Sequence, residues 1–571
     1  MRPLGKRRDT GGYKMKVDEK FGLIGIDDER QRRVLYPNRV VLTKGNVTGS
    51  QYLTEVKPAQ VAIYSFTDQC ILDNRGATEN AAVLVDFGRE LHGTCMVSFR
   101  GLGQPTVKYR IRLGESVSEA LTPFGEKGTT NDHATRDMEY TSGFWSSNET
   151  NESGFRFAYV ELLSPDTYAD LRCIAATLIW RDLEYKGTFV CNDAMVNTIF
   201  DTAAYTAHLN MQRYLWDGIK RDRLVWAGDM NTEVATILSV FGPNEVITKS
   251  LDLVKSITPT SDSMNGIPQY NLWWMLCHHA WYMATGDYDY LKEQKDYIAE
   301  MLTRYLDYIG EDGRIIPPLD GGLFDWPTQD HPEQRFAGTQ GLACLAFRTG
   351  GQIMETLGES ELANKFYDAA ELTKKYVPEI KGGSKQAAAV LVESGICDAK
   401  KTFDDVISVG GAEGLSTFLG YFTLCAIGEA GEFEAGIDIM KQYWGKMIEM
   451  GATTFWEDFD IHWADNAAPI TDVVPEGKDD IHGDFGAFCY KNLRHSLCHG
   501  WASGPAPFLS KYIMGIHVLE PGCKKILFAP NLGGLEWVKG TYPTPYGIIE
   551  VSITKDGAEI IAPEGVEVVR K

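Results

Sequence analysis

The sequence predicts a multidomain protein in which β-rich parts precede and follow a helical middle. At 571 residues the chain is too long for one ordinary hydrophobic core, so two to four domains are expected. Short alternating or β-branched runs dominate from about residue 50 to 190, and apolar residues then recur at helical spacing. Beyond residue 515 the strand pattern returns.

Residues 46–188 are predicted to form an N-terminal β-sandwich. Each predicted strand is rich in β-branched or aromatic residues and is bounded by Gly, Asn or Asp. The strands are Ala82–Phe87, Thr94–Phe99, Val107–Leu113, Phe157–Leu163 and Cys173–Trp180. Residues 1–45, which are rich in charged side chains, are assigned to an N-terminal arm or an extra pair of strands.

Residues 189–514 are predicted to be mainly helical. Asn192 is placed as the cap of the first helix, because Met195, Ile199 and Ala203 follow it at helical spacing. Further amphipathic stretches run over Tyr288–Ile309, Gly341–Leu357, Ser360–Val377, Leu415–Gly431, Phe433–Met450 and Ala502–Met514. Many helices joined by long loops suit a toroid of paired helices whose loops converge on one face.

A small β domain is predicted over residues 515–571. Its strands are placed at Lys525–Phe528, Gly534–Gly540 and Tyr546–Ile553. Pro543, Pro545 and the pair Asp556-Gly557 supply the turns. Three packed domains are therefore expected.

Composition narrows the class of function. The net charge of -22 opposes binding to nucleic acid or anionic lipid, because phosphate binding depends on a basic surface. The most apolar central stretch, Asn271–Ala280, is interrupted by histidines and is too short to span a bilayer. No secretory signal follows Met1, and the eleven cysteines show no CxxC pairs, so reduced thiols are expected. We predict a cytoplasmic protein without a nucleic-acid or membrane partner, and a homo-oligomer is left open.

The segment Asp217–Asp229 has an unusually high density of charged residues. It holds three carboxylates, three cations and Trp226, with glycines on either side. Burying like charges together raises at least one carboxyl pKa, and this keeps a general acid protonated near neutral pH. A salt-bridged helix start on the surface is the alternative. The glycines and the tryptophan among the charges favour a sugar-binding active site.

Three segments, in order along the chain, resemble the α-L-rhamnosidases of glycoside hydrolase family seventy-eight. They are Asp217–Asp229, Gly451–Glu457 and Cys498–Leu509. The run Leu84–Gly93 is similar to the β-sandwich ahead of that family's barrel, and the strand-rich tail resembles its C-terminal sandwich. The resemblance spans most of the chain. It implies a central (α/α)6 barrel flanked by an N-terminal β-sandwich and a small C-terminal β-sandwich, and inverting hydrolysis of a terminal α-linked L-rhamnose.

Inverting hydrolysis needs one carboxyl group to protonate the leaving oxygen and a second, about 6.5–9.5 Å away, to activate water. The resemblance places the acid at Asp222 and the base at Glu457. The family usually has Glu at the acid position, and misplacing a proton donor by about 1 Å can cost on the order of a hundredfold in rate. Glu233 is a reserve acid, and it is expected to be exposed on a helix. Asp458 and Asp460 compete with Glu457.

The remaining candidate residues are assigned to the sugar. The resemblance implies hydroxyl binding by Asp217, Asp229 and His499. Tryptophan rings suit the C–H surface and the methyl group of a deoxysugar, and the tryptophans near carboxylates are placed in loops or at helix starts. The full set assigned to substrate binding is Asp217, Arg221, Trp226, Asp229, Trp326, His499 and Trp501. Trp273 and Trp274 are weaker candidates of the same kind, and His482 is assigned either to the rim of the site or to a structural turn.

We expect no cofactor and no catalytic metal. The sequence has no nucleotide-binding glycine loop and no serine hydrolase elbow, and Cys277-His278-His279 lacks a second ligand pair. The leading hypothesis is an exo-acting α-L-rhamnosidase whose substrate is a glycoside or oligosaccharide. A related glycosidase for another terminal sugar, such as a uronate, is the first alternative, because Lys220, Arg221 and Arg223 cluster together. A carbohydrate-binding protein that lost catalysis through the shortened Asp222 is the second.

Overall fold

The computed structural model describes residues 28–56, 68–488 and 490–571 in full, and residues 15–18 and 23–26 as backbone strands. These two strands, β1 (Met15–Asp18) and β2 (Leu23–Ile26), pair in antiparallel fashion. They fall within the predicted N-terminal arm, and residues 1–14 and 19–22 of that arm lie outside the described residues. Strands, helices and strands then follow in the predicted order.

A ten-stranded sheet builds the N-terminal part, and all its strand pairs are antiparallel. Its strands are β3 (Arg30–Leu35), β4 (Arg39–Lys44), β5 (Asn46–Thr48), β6 (Cys70–Asp73), β7 (Ala82–Leu102), β8 (Thr106–Gly114), β9 (Asp137–Gly143), β10 (Ser147–Glu149), β11 (Ser153–Leu162) and β12 (Tyr168–Arg181). A short helix, α1 (Val117–Leu121), lies between β8 and β9. The predicted boundary after residue 45 therefore falls between strands of one sheet.

The long strand β7 organises this sheet. Its first half pairs with β4 and β11, and its second half pairs with β12 and β10. The predicted strands Ala82–Phe87 and Thr94–Phe99 are both parts of β7. They are continuous because the chain at Gly88, with a φ of 86°, bends in a bulge and does not reverse.

Helices dominate the next three hundred or so residues. They are α2 (Ala194–Asn210), α3 (Met230–Val240), α4 (Glu245–Ile257), α5 (Pro268–Thr285), α6 (Tyr288–Leu306), α7 (Pro332–Thr356), α8 (Ser360–Lys374), α9 (Lys385–Glu393), α10 (Ala399–Thr402), α11 (Gly420–Glu429), α12 (Phe433–Glu449) and α13 (Pro505–Phe508). Alternate helices contact one another in sequence: α3 packs on α5, α5 on α7, α7 on α9, α9 on α11, α11 on α13, and α13 on α3. No helix in the described ranges is both long enough and apolar enough to cross a bilayer.

Two details of the helical prediction are wrong. Asp193, not Asn192, caps α2, because its Oδ1 accepts the backbone N–H groups of Met195 and Val196. Trp273 and Trp274 lie in the middle of α5 and are fully buried, so they are core residues and not part of a sugar-binding loop. Helix α5 is apolar on most of its surface, and its sequence therefore lacks the amphipathic pattern that marks a half-exposed helix.

The C-terminal part contains two sheets. Strand β13 (Thr188–Cys191) comes from the start of the helical region and pairs with the later strands. The strands that follow are β14 (Ala467–Ala468), β15 (Asp479–Asp480), β16 (Ile516–Glu520), β17 (Lys525–Phe528), β18 (Trp537–Thr544), β19 (Gly547–Thr554), β20 (Gly557–Ile561) and β21 (Glu567–Arg570). One sheet has the order β13-β18-β19-β20 and the other β16-β17-β21.

A buried lysine joins the N-terminal part to the helical region. Lys220 Nζ lies 3.0 Å from Glu115 Oε2 and 3.2 Å from Glu119 Oε1. It also donates hydrogen bonds to the carbonyl oxygens of Leu493 and His495, at 3.1 and 2.6 Å. One ammonium group thereby connects α1, the Asp217–Asp229 segment and the loop before α13.

We predict that Lys220→Met lowers the unfolding free energy by about 3–5 kcal/mol, because it leaves Glu115 buried without a counter-charge and Glu119 with Arg136 alone, at 4.0 Å. Chemical denaturation monitored by tryptophan fluorescence measures the loss. The matched control is Lys401→Met, which removes the exposed pair of Lys401 with Asp405 and should change stability by less than about 0.5 kcal/mol. Equal effects of the two variants would contradict this account of the interface.

Candidate active site

A cavity of about 310 Å³ brings together all nine residues to which the sequence assigned catalysis or substrate binding. Six segments of the chain contribute to its wall. The predicted residues are Asp217, Arg221, Asp222, Trp226, Asp229, Trp326, Glu457, His499 and Trp501, and the lining is completed by Ile267, Tyr270, Leu323, Gln329 and Tyr490. Tyr270 and Tyr490 carried no motif signal, because they lie far from the charged segments in sequence.

The Asp217–Asp229 segment forms a closed loop before α3. The backbone N–H of Leu224 donates to Asp217 Oδ1 at 2.9 Å, and the backbone N–H of Asp217 donates to the Leu224 carbonyl at 3.1 Å. Asp222 and Arg223, at the tip, have φ values of 54° and 57° in the left-handed region. Such a conformation costs a non-glycine residue about 1–3 kcal/mol and is concentrated at functional sites. Here it turns Asp222 towards the cavity.

Arg221 contacts two of the carboxyl groups in the cavity. Its Nη1 lies 3.3 Å from Asp222 Oδ1, and its Nη2 donates to Glu457 Oε1. The guanidinium carbon also lies 4.5 Å from the centre of the Tyr490 ring, a cation–π contact on its other side. The predicted acid and the predicted base are thus held by one rigid planar cation.

Glu457 is kept ionised by its surroundings. Burial opposes ionisation, but the Arg221 guanidinium and the His499 ring outweigh it and hold the pKa of Glu457 well below its usual range. Its Oε2 accepts the backbone N–H of Ser496 at 3.3 Å. Its carbonyl oxygen accepts the indole N–H of Trp501 at 3.0 Å, so Trp501 orients the main chain at this position.

His499 lies among three carboxyl groups. Its Nε2 is 3.4 Å from Glu457 Oε1, 3.7 Å from Asp229 Oδ1 and 3.8 Å from Asp217 Oδ2. Burial and the neighbouring Asp229 and Asp222 carboxylates raise the pKa of Asp217 well above its usual value. Burial also raises the pKa of Asp229 to about 7, against the opposing effect of His499. The cavity therefore holds two carboxyl groups with raised pKa values and one with a lowered pKa, all within 4 Å of a single imidazole.

Tyr270 holds the Asp229 carboxyl by a hydrogen bond. Its hydroxyl donates to Asp229 Oδ2 at 3.1 Å. The ring can pack here because residue 228 is glycine, and a Cβ at that position would stand 2.3 Å from the ring. Gly228, one of the two glycines that the sequence singled out beside the charges, is thus part of the support of the site.

The reserve and competing carboxylates lie outside the cavity lining. Glu233 is buried, so the expectation of an exposed residue is wrong. Its carboxyl packs where Gly500 lacks a side chain, and burial raises its pKa well above the usual value. Asp458 accepts the N–H of Phe459, and Asp460 is exposed and caps a helical turn.

The aromatic residues have different roles. Trp226 and Trp326 are half-buried and present part of their surface to the cavity. Trp326 stacks on Phe488 with a centroid distance of 5.5 Å. Trp501 is buried and stacks on Phe418 at 4.8 Å. Trp226 and Trp326 therefore fit a sugar platform, whereas Trp501 supports Glu457 and His499.

The three cations that pointed to a uronate are all engaged by the protein. Arg221 contacts two carboxyl groups, and Lys220 is buried against two others. Arg223 donates to the backbone carbonyls of Glu152, at 3.0 Å, and His133. These contacts leave each of the three committed to groups of the protein, which favours an uncharged ligand.

A second carboxylate cluster lies behind the cavity. Glu115, Glu119 and His482 bring their ligand atoms within metal-binding distance of one another. Both carboxylates contact Lys220, and the ring nitrogens of His482 bond to Ser116 Oγ at 2.7 Å and the His495 carbonyl at 2.9 Å. These bonds use the atoms that a cation would need, and they make His482 a structural residue.

The alternate helices contact one another in a closed sequence, and carboxylates and tryptophans line the cavity. This arrangement is that of a glycosidase with a six-hairpin helical domain, as the family matches show. Residues 184–378 match the bacterial alpha-L-rhamnosidase 6 hairpin glycosidase domain. Residues 515–560 match the bacterial alpha-L-rhamnosidase C-terminal domain. These two regions match domain models of the bacterial α-L-rhamnosidases, and the resemblance seen in the sequence is confirmed.

Solved structures share the fold. The family seventy-eight rhamnosidase of Bacillus sp. GL1 has a TM-score of 0.72 at 20% identity, over 91% of this chain and 55% of that one. A Klebsiella oxytoca rhamnosidase with rhamnose bound has a TM-score of 0.68 at 17% identity, over 85% and 96%. A Streptomyces avermitilis α-L-rhamnosidase complexed with L-rhamnose has a TM-score of 0.67 at 16% identity, over 86% and 48%. The chain thus spans about half the length of the Bacillus and Streptomyces proteins. A comparison with curated proteins finds no match.

We predict that Asp229→Asn stabilises the protein increasingly as the pH rises from 4 to 7. A carboxyl whose pKa rises to about 7 on folding supports the folded state fully below its unfolded pKa, and it loses that contribution progressively as the pH rises from there through about 7. The amide stays neutral throughout, so its relative gain should grow by up to about 4 kcal/mol. Denaturant midpoints across this pH range measure it. Asp405→Asn, at an exposed ion pair, is the control, and a gain independent of pH would contradict a neutral, buried Asp229.

Proposed function

We propose that this protein is an exo-acting glycoside hydrolase that removes a terminal α-linked L-rhamnose by inversion, with Asp222 as acid and Glu457 as base. The observation that carries the proposal is the contact of both carboxyl groups with the guanidinium of Arg221. Because the guanidinium is rigid and lies between them, the nearest carboxyl oxygens are at most roughly 8 Å apart, which is compatible with the spacing of inverting enzymes.

The two carboxyl groups differ in a way that suits the reaction. Glu457 is buried, ionised and inside the cavity, so it can take a proton from the water that attacks the anomeric carbon. Asp222 is at the rim, with 19% of its side chain exposed, where a leaving group would exit. It gives its proton to the glycosidic oxygen as the bond from the anomeric carbon to that oxygen breaks. The product then has the opposite anomeric configuration.

The rest of the cavity suits a single deoxysugar. The raised pKa values of Asp217 and Asp229 allow each carboxyl, when protonated, to donate as well as accept a hydrogen bond, and His499 lies between them. Trp226 and Trp326 offer apolar surface for C–H groups and a methyl group. A cavity of about 310 Å³ is at the small end for ligand sites, which supports binding of one terminal residue.

The proposal extends to the architecture. We propose that α3, α5, α7, α9, α11 and α13 form the inner ring of an (α/α)6 barrel. An N-terminal β-sandwich that includes β3 and β4 and a small C-terminal β-sandwich flank this barrel. The closed sequence of contacts among these helices supports the ring. A cytoplasmic location stays a prediction.

Turnover of an aryl α-L-rhamnoside should fall by about 10²–10⁴-fold in Asp222→Asn and in Glu457→Gln, because each loses one proton-transfer step. Asp460→Asn, which alters an exposed cap near the site, is the control and should keep its activity. Proton NMR of the first product should show the inverted anomer. Retained configuration would exclude inversion, and activity surviving Asp222→Asn would move the acid to Asp217, Asp229 or Glu233.

Trp326→Ala should raise KM for the rhamnoside about tenfold with a smaller change in kcat, because a platform binds the ground state and the transition state alike. Steady-state kinetics measure both constants. Trp326→Phe retains an aromatic ring and should recover most of the loss. A fall in kcat with unchanged KM would instead assign Trp326 to the support of the catalytic groups.

A further inference from the structure

A histidine from the N-terminal part reaches the proposed acid. His133 lies on the connection between α1 and β9, and its Nδ1 is 3.4 Å from Asp222 Oδ1. Its Nε2 is 3.4 Å from Asp132 Oδ2. The imidazole therefore lies between two carboxyl groups, one of them in the cavity. No motif in the sequence pointed to His133.

Two arginines hold the backbone of His133 and the side chain of its neighbour Asp132. The Arg223 guanidinium donates to the His133 carbonyl oxygen, and Arg494 Nη2 lies 3.6 Å from Asp132 Oδ2. Because 28% of the His133 side chain is exposed, the ring can exchange protons with solvent. The unusual backbone at Asp222 and Arg223 directs one side chain to the ring and the other to its carbonyl.

As the proposed acid, Asp222 needs a neighbouring group that can return a proton to it. As the acid, Asp222 loses one proton in each turnover and must regain it. Of the two side chains that contact it here, the guanidinium of Arg221 does not release protons, whereas an imidazole changes charge between about pH 5 and 8. At 3.4 Å from Asp222 Oδ1, the ring nitrogen is the nearest group that could return a proton to this carboxyl.

We propose, on the basis of the function proposed above, that His133 and Asp222 share one proton and that His133 is the positioning residue that keeps it on the pair. The Nδ1 proton of the imidazolium passes to Asp222 Oδ1, and the ring becomes neutral while its Nε2–H stays towards Asp132. The Asp222 proton then moves to the glycosidic oxygen as the C–O bond breaks. A proton from solvent returns to Nδ1 and restores the pair.

Several charged groups surround the His133 ring. Asp222 and Asp132 contact it, and Arg223 lies at its carbonyl. The ring also borders a small cavity whose other charged residues are Glu119, Arg136, Lys220, Arg221 and Arg494. The two aspartates are the groups within contact distance of the ring nitrogens, so their removal tests the coupling most directly.

The decisive experiment is the pH profile of kcat/KM for wild type and His133→Gln on the aryl α-L-rhamnoside. Glutamine can still contact Asp222 but cannot hold a titrating proton. In wild type the alkaline limb belongs to the pair; in the variant it belongs to Asp222 alone and should move at least about 1 pH unit lower. Activity at the former alkaline limb should fall about tenfold, and the acidic limb should stay in place. A uniform loss at every pH, with both limbs unmoved, would reduce His133 to a structural role and overturn the proposal.

Two further variants control the interpretation. His462→Gln removes an exposed histidine that has Asp465 and Glu413 at 3.3 and 3.5 Å, and its profile should equal that of wild type. Asp132→Asn leaves His133 in place but removes one neighbouring negative charge. It should therefore move the alkaline limb in the same direction as His133→Gln, by a smaller amount.

The failure of this inference and that of the proposed function give different results. Activity that survives Asp222→Asn removes Asp222 as the acid. Loss of activity in Asp222→Asn, with a wild-type alkaline limb in His133→Gln, overturns the shared proton alone. If the wild type cleaves no rhamnoside, NMR titration of the histidine rings still tests the coupling of His133 to Asp222. Asp222→Asn should lower the midpoint of His133 and leave His462 unchanged, and an unmoved His133 midpoint would overturn the coupling.

Discussion

The contact of Arg221 with Glu457 and Asp222 is the interaction on which the site depends. A buried cation and a buried carboxylate are each costly to take from water, and the cost is offset only when their geometry is good and their remaining hydrogen-bonding groups are satisfied. Here the guanidinium lies against the Tyr490 ring, and Glu457 receives further bonds from Ser496. Loops from three distant parts of the chain must meet for this arrangement to exist. When these loops pack together, they also bring the other cavity residues into position.

The N-terminal part belongs to the site as much as the helices do. Glu115 and Glu119 neutralise Lys220, the residue next to Arg221. The carbonyls of Glu152 and His133 hold the Arg223 side chain while its backbone stays in the left-handed region. A strained loop persists only when its surroundings determine it. The sheet therefore does more than brace the helical region, because it fixes the turn that presents Asp222.

Environment, not residue type, separates the carboxyl groups of the cavity. Glu457 has a cation in contact, and its pKa is lowered despite full burial. Asp217 and Asp229 are equally buried but have no arginine in contact, so burial raises their pKa values, with nearby carboxylates adding to the effect. Glycosidases assign different tasks to chemically similar groups by this means. Carboxyl groups with lowered and raised pKa values therefore lie around a single histidine.

The sequence by itself determined the order of strands, helices and strands, and it identified nine of the fourteen residues that line the cavity. Both rest on local patterns: the spacing of apolar residues, and charges crowded into short segments that resemble a known family. The tertiary structure alone decided that Trp273 and Trp274 are core residues, that Glu233 is buried against Gly500, and that His133 reaches Asp222. Spacing detects a helix with one buried face and cannot detect one buried on most sides. Contacts between residues far apart in the chain leave no periodic trace, because they depend on how the loops pack.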